Sequence, residues 1–198
     1  MKVAAAVLAA GQGTRFAGGE PKPLALLGGR SLVSWALDAA LSSDLRPVVL
    51  AVPADADTLA STATAEVQVV VAEHAAQGIA WSLRAVLDQL EGIDDVSAVC
   101  VGLADQPRIG ANAYRRLAAA HGDGAEMAVA IYDGQRGNPV LIGRSLWSAA
   151  RELDGDVGAK ALMQDHDATE VDCTGTGDPR DVDTLDDLHA LEEETGRP

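Results

Sequence analysis

Leu8-Ala9-Ala10-Gly11-Gln12-Gly13-Thr14-Arg15-Phe16 runs from an apolar stretch into a glycine-bearing loop, and Lys22 follows between Pro21 and Pro23. Glycines let the backbone come close to a phosphate, and successive free N–H groups make an anion nest. Arg15 and Lys22 could then neutralise a triphosphate. An ordinary turn with solvated charges explains the loop equally well when it is taken alone. Two familiar phosphate loops are excluded. GxxxxGK[ST] does not occur, and the dinucleotide loop needs a third glycine where Phe16 stands. Asp38, the acidic residue nearest the distance that loop requires, falls inside a helical pattern.

Asp105 opens Asp105-Gln106-Pro107 directly after the apolar run 97–103. A carboxylate there points into a ligand crevice. It suits Mg2+, a hard cation held by one or two carboxylates plus phosphate oxygens. A strand-closing Asp before an X-Pro turn is the plainer account. In Asp181-Val182-Asp183-Thr184-Leu185-Asp186-Asp187-Leu188, Thr184 fits a helix cap and Asp186 and Asp187 its first turn. Asp183 precedes the cap and is the candidate second carboxylate for a metal. Arg136-Gly137-Asn138-Pro139 and Gly155-Asp156-Val157-Gly158-Ala159-Lys160 combine turn formers with polar groups. Gly78 precedes a helical pattern containing Ser82, whose N-terminus could meet an anion or a polar base edge.

These segments lie between elements that the hydrophobic pattern marks out. Apolar runs predict strands at 2–9, 47–52, 67–71, 97–103, 127–131, 139–142 and 169–173. Helical spacing predicts helices at 31–41 with Ser31 as cap, 57–64, 80–90, 110–120, 146–153, 158–164 and 184–194. Strands separated by helices of about ten residues argue for an α/β fold with a mostly parallel sheet. The strands lack strict alternation, as expected when both faces are covered. The Gly134-Gln135-Arg136-Gly137 turn between two neighbouring strands suggests a hairpin or an antiparallel edge. With no repeat or linker, residues 1–198 read as one domain. Ligands of such sheets bind beyond the carboxyl ends of the strands.

Composition narrows the function classes. Apolar residues at 47% and charged residues at 23% exclude wholesale disorder and collagen-like repeats. Aromatics at 3% mean that the core must be aliphatic. A net charge of −15 opposes polyphosphate backbones and anionic membranes, so neither nucleic acid nor membrane is an expected partner. The charge is uneven: residues 1–50 carry +2 and residues 165–198 carry −10. A small anion could therefore still approach the N-terminal part. Cys100 and Cys173 make neither a disulfide framework nor a zinc site. Met1-Lys2 and the apolar run behind it loosely mimic a signal peptide, but the run is short and ends in a glycine turn. A cytoplasmic protein is the expectation.

Taken in order, the motifs resemble those of the molybdenum cofactor cytidylyltransferase and MobA-like nucleotidyltransferase family. Residues 8–16 with Lys22 are similar to its LAAGxSxRMG…K signature, 104–107 to its DxP motif and 136–139 to RGHP. Residues 155–160 are similar to GDxGAR, and 181–184 to the DxDTPEDL ending. The resemblance spans nearly the whole chain. It implies a Rossmann-like, three-layer α/β/α nucleotidyltransferase fold, mostly parallel with an antiparallel segment. It also implies Mg2+-dependent transfer of a nucleoside monophosphate from an NTP to a phosphorylated acceptor such as molybdopterin, with release of pyrophosphate. A molybdoenzyme or its chaperone would be the further partner.

By the same resemblance, Leu8, Ala9, Ala10, Gly11, Gln12 and Gly13 would hold the nucleotide, together with Lys22, Gly78 and Ser82. Arg15, Lys22 and Asp105 would act in catalysis, and Asp105 and Asp183 would hold Mg2+. Arg136, Asn138, Pro139, Asp156 and Lys160 would bind the acceptor. No nucleophilic side chain is needed, because the acceptor's own phosphate attacks and the protein supplies positioning and charge. Within the family the Ala-Ala-Gly form of the loop goes with cytidylyl enzymes and Gly-Gly with guanylyl enzymes. Ala9-Ala10-Gly11 therefore points to CTP.

The chain departs from the family pattern at several positions. Phe16 stands for Met, Asn138 for His, Lys160 for Arg and Leu185 for Pro. The loop before Lys22 is longer, and Pro21-Lys22-Pro23 is closer to sugar-phosphate nucleotidyltransferases. These differences keep three alternatives open: a guanylyltransferase, a sugar-phosphate nucleotidyltransferase, and a non-catalytic cofactor- or nucleotide-binding protein. A nicotinamide oxidoreductase rests on the glycine loop alone.

Overall fold

Strand β1 (Lys2–Leu8) is buried from Ala4 onward, and its alternate residues enter two different cores. Ala5 and Val7 face one helix layer, and Ala4, Ala6 and Leu8 face the other. The computed structural model describes residues 2–11, 16, 20–159 and 161–195. After β1 come a small hairpin, β2 (Leu26–Leu27) and β3 (Arg30–Ser31), then α1 (Leu32–Ser42), β4 (Val48–Pro53) and α2 (Asp57–Ala60). The chain continues through β5 (Val67–Ala72), α3 (Ile79–Glu91), β6 (Val96–Leu103), α4 (Ala111–Gly122), β7 (Met127–Tyr132) and β8 (Gln135–Gly143). It ends with α5 (Trp147–Arg151), α6 (Leu162–Asp165), β9 (Thr169–Asp172) and α7 (Leu185–Thr195).

The main sheet has the order β5-β4-β1-β6-β8-β7-β9. Strand β8 runs antiparallel to β6 and β7, whereas the β1, β4, β5, β6 and β7–β9 pairings are parallel. Helices α1, α2 and α4 cover one face through Val33, Leu37, Leu59, Tyr114 and Leu117. Helices α3, α5 and α6 cover the other through Leu83, Leu87, Trp147 and Leu162. This is the Rossmann-like, three-layer α/β/α arrangement expected from the resemblance. A third cluster joins Leu27 and Leu32 to Val182, Leu188 and Leu191, so α7 packs beside the hairpin.

Local chemistry explains the start of α1 and the end of α2. Ser31 caps α1 as expected, its Oγ accepting from the Ser34 amide at 3.3 Å. The helix expected over 57–64 is only one turn. The Ser61 and Thr62 hydroxyls bond back to the carbonyls of Thr58 and Leu59, which ends it. The 146–153 helix shortens to α5 behind a 3-10 turn, and 158–164 shortens to α6. The β7–β8 hairpin is present, but β8 lies inside the sheet. The expected alternative of an antiparallel edge is therefore corrected: the edge beyond β7 is β9, which runs parallel to it. Among the described residues no helix is long and apolar enough to cross a membrane.

Candidate active site

Three backbone hydrogen bonds bring distant segments to the carboxyl ends of β1 and β6. The Ala104 amide donates to the Leu8 carbonyl at 3.0 Å, and the Val182 amide donates to the Asp105 carbonyl at 2.8 Å. The segment after β6 is thus pinned to β1, and the segment before α7 is pinned to Asp105. The Gly110 amide donates to the Thr176 carbonyl at 3.0 Å and fixes the same region from behind. Thr184 and Asp187 close a reciprocal cap on α7. The Asp187 amide donates to Thr184 Oγ1 at 3.2 Å, and the Thr184 amide donates to Asp187 Oδ2 at 2.8 Å. Asp187 Oδ2 also accepts from the Asp183 amide at 3.0 Å, so the cap sets the backbone of Asp183.

Lys22 joins the two carboxylates so placed. It starts a 3-10 turn (Lys22–Leu24) with Pro21 before it and Pro23 inside it. Its Nζ lies 2.7 Å from Asp105 Oδ2 and 2.7 Å from Asp183 Oδ1. The Lys22 side chain is 9% exposed. Burial pulls its pKa down, but hydrogen bonds and charge from Asp105 and Asp183 outweigh this and leave it above the ordinary lysine value. The ammonium therefore stays charged.

The site faces a cleft of about 810 Å3 lined by Leu8, Ala9, Ala10 and Gly11 of the glycine loop. Lys22, Gly78, Ser82, Asp105, Asp156 and Asp183 also line it. A second hollow of about 470 Å3 adjoins it and shares Leu8, Ile79, Leu103, Asp156 and Asp181 with it. Arg136 and Asn138 stand at this second hollow. The nucleotide set and the acceptor set thus meet at neighbouring cavities with Asp156 at their junction. Pro139 is buried in β8 and does not line the hollow. That corrects its expected direct contact with an acceptor: the strand pleat turns it inward. Gln12, Gly13, Arg15 and Lys160 lie outside the described residues.

Helix α3 begins in an unexpected way. The Ala80 amide donates to the Gly155 carbonyl at 3.2 Å, and the Trp81 amide to the Gly78 carbonyl at 3.2 Å. Those two amides are already engaged, while Gly78, Ile79 and Ser82 line the cleft. Gly78 has φ +131°, and a Cβ there would lie 2.0 Å from the Gly155 carbonyl carbon. The glycine thus serves contact with the 155–156 loop, and the contact sets Asp156 at the cleft.

Two site residues were missed by sequence reasoning. Gln106 is 5% exposed; its amide donates to the Pro179 carbonyl at 2.8 Å, and its Oε1 accepts from Asn138 Nδ2 at 3.0 Å. It bolts the start of β8 to the segment before α7. Asp181 faces both cavities. Partial burial first, and then the Asp105 charge, push its carboxyl pKa above the usual range. The Asp-x-Asp spacing of Asp181 and Asp183 was the available signal for it. Gln106 gave none beyond its place in the Asp-x-Pro motif.

The residues fit a divalent metal held partly by a nucleotide. Asp105 Oδ1 is buried and has no hydrogen-bond partner among the described residues, so one carboxylate oxygen is uncommitted. Among the described residues no group of three or more His, Cys, Asp or Glu converges as a self-sufficient metal cage. Two carboxylates completed by phosphate oxygens are the Mg2+-type donor set.

The sequence profile of the MobA-like NTP transferase domain matches residues 5–170. The chain is 32% identical over 176 residues to the bifunctional protein GlmU of Corynebacterium jeikeium (strain K411), covering 85% of this chain and 34% of that protein. It therefore spans about a third of the length of the curated relatives it matches. The crystal structure of Rv0371c from Mycobacterium tuberculosis H37Rv superposes with a TM-score of 0.86 at 28% identity, over 98% of both chains. A complex of Rv0371c with manganese superposes at 0.82 with 27% identity, again over 98% of both chains. The profile match runs through the glycine loop, Lys22, Asp105 and Asp156, which the fold gathers at one cleft, and the chain belongs to the MobA-like NTP transferase family of nucleotidyltransferase enzymes.

Proposed function

We propose that the protein is a divalent-metal-dependent cytidylyltransferase that moves CMP from CTP onto a phosphorylated acceptor, molybdopterin or its molybdenum form. The observation that carries the reading is Lys22 between Asp105 and Asp183, in a cleft that a second hollow adjoins. The glycine-loop cleft takes the nucleotide, and the hollow with Arg136 and Asn138 takes the acceptor. Magnesium, held by Asp105 and Asp183 with the triphosphate, supplies charge neutralisation when bound. Lys22 contributes a second positive charge beside the phosphates. The protein holds both partners in line, and an acceptor phosphate oxygen attacks the α-phosphorus. A new P–O bond forms there as the bond to the β-phosphate oxygen breaks, and pyrophosphate leaves with the electron pair.

The cytidine preference rests on the family pattern of Ala9-Ala10-Gly11. Asn138 stands for the family histidine. Its amide is spent on Gln106, so it positions the wall of the hollow and does not act as a proton switch.

The test is pyrophosphate release from each of CTP, GTP, ATP and UTP, with molybdopterin or a sugar 1-phosphate as acceptor and with Mg2+ or Mn2+. The expected result is release from CTP with molybdopterin only. Preference for GTP would overturn the nucleotide assignment, and turnover with the sugar phosphate would overturn the acceptor assignment. No release from any pair would return the non-catalytic binding protein.

A further inference from the structure

Asp156 lines both the cleft and the second hollow, yet it belongs to an exposed loop that needs a fastening. Helix α3 supplies one at two residues a turn apart, Ala80 and Arg84, which share a helix face. The Ala80 amide donates to the Gly155 carbonyl at 3.2 Å. Arg84 Nη2 donates to the carbonyls of Arg151 at 2.5 Å and Leu153 at 3.1 Å. These carbonyls lie at and just past the end of α5, where helical partners have run out. The guanidinium is itself held in place. Its Cζ lies 4.3 Å from the centre of the Trp81 ring, and His74 meets that ring edge-on at 4.8 Å. Arg84 Nε is buried without a hydrogen-bond partner, so among the described residues this side chain spends its hydrogen bonds on the 151–153 segment. Arg84 lines neither the cleft nor the hollow.

We propose that Arg84 is a positioning residue for the transfer reaction. It touches neither substrate. By fixing the carbonyls of Arg151 and Leu153 it sets where the Asp156 carboxylate stands between nucleotide and acceptor. The planar group matters here: a guanidinium can lie on the face of Trp81 and still donate in its own plane, which a lysine ammonium cannot do. Without this tie the loop keeps its bond at Gly155, a glycine at φ +62° about which it can swing. A displacement of about 1 Å at a reacting group costs up to about 100-fold in rate. The proposal rests on the transferase reading above, with Asp156 as an acceptor contact, and adds to it a residue outside both cavities.

The experiment is steady-state pyrophosphate release from CTP with molybdopterin, on wild type, Arg84→Lys, Asp156→Ala and the double variant. Arg84→Lys is expected to lower kcat/KM for molybdopterin by about tenfold or more, while KM for CTP stays within about twofold. In the Asp156→Ala background the same change is expected to cost no more than about twofold, because the group it positions is gone. A CTP KM that rises as far as that for molybdopterin, or a full loss repeated on top of Asp156→Ala, would overturn the proposal. Hydrogen exchange gives a readout that needs no turnover. In Arg84→Lys the amides of residues 152–158 are expected to exchange several-fold faster than in wild type, with β1 and β6 unchanged. Unchanged exchange over 152–158 would also overturn the proposal. Wild type that releases no pyrophosphate from any pair sinks the transferase reading. An active enzyme whose two substitutions simply add sinks this inference alone.

Discussion

Asp105 and Gly78 serve the same cleft by different physics. Asp105 offers a buried oxygen with no hydrogen-bond partner among the described residues, so its contribution is electrostatic. Asp105→Asn is expected to lower pyrophosphate release by about 100-fold or more, the usual loss for a preorganised charge stabiliser. Its thermal melt should stay close to that of wild type, and a variant with full turnover would contradict the assignment. Gly78 contributes room for Gly155 and a backbone shape that side chains resist. Gly78→Ala meets Gly155 at 2.0 Å with φ +131°. Urea unfolding should show a loss of about 1–3 kcal/mol, and stability unchanged within error would contradict the contact. At this scale Lys22, Asp105 and Asp183 were legible because charge, position after a strand and motif order agreed. Gln106 and Asp181 were not. Gln106 draws its role from Pro179, 73 positions away, and no local pattern encodes that contact.

Helix α7 shows what an element adds to single residues. Thr184→Ala removes the cap that also fixes the Asp183 backbone. It should cost about 1 kcal/mol in a denaturant titration and reduce metal-dependent nucleotide binding as well. The far end of α7 is held by ions. Arg180 and Arg108 donate to Glu194 at 3.0 and 2.9 Å, and Arg180 also pairs with Asp178. The hydrogen bond from Arg180 is the leading reason that both carboxyls lie below their ordinary pKa. A carboxyl with a lowered folded pKa stabilises the fold fully above its unfolded value, near 4, and loses that contribution as pH falls through the folded value. Hydrogen exchange should therefore show α7 losing protection between about pH 4 and pH 2, ahead of β1 and β6. Equal protection of α7 at pH 7 and pH 3 would rule out the ionic anchor. The cap was readable from Thr184 and its acidic neighbours. The ionic anchor was not, because Arg108 comes from the other side of the sequence.

The whole molecule divides its residues between a sealed interior and one working edge. Cys100 and Cys173 both have 0% exposure, and burial pushes both thiols above their ordinary pKa. Ellman's reagent should find no thiol in the native protein and both after unfolding. Rapid labelling of the native state would show that the core opens locally. Most of the sheet was legible, since uninterrupted apolar runs such as β1 and β6 have few other places to go. The interior position of β8 was not. A glycine turn announces a hairpin, but whether the second strand lies outside or inside its partner depends on how β6 and β7 share the space between them.

The reversal of β8 has a further consequence. Because that strand runs against β6, its first residues lie at the cleft end of the sheet, and one wall of the hollow at Arg136 and Asn138 is built on hydrogen-bonded strand. The turn just before it, Asp133-Gly134, is exposed and does not line the cleft of Lys22, Asp105 and Asp183. Residues added there would heighten one bank of that hollow, while Asp105, Asp183 and Lys22 stayed moored by their own bonds. On the transferase reading proposed above, such a scaffold can change the size of its acceptor by growing a single turn. Substrate range can diverge among descendants of this chain while the transfer chemistry is inherited intact.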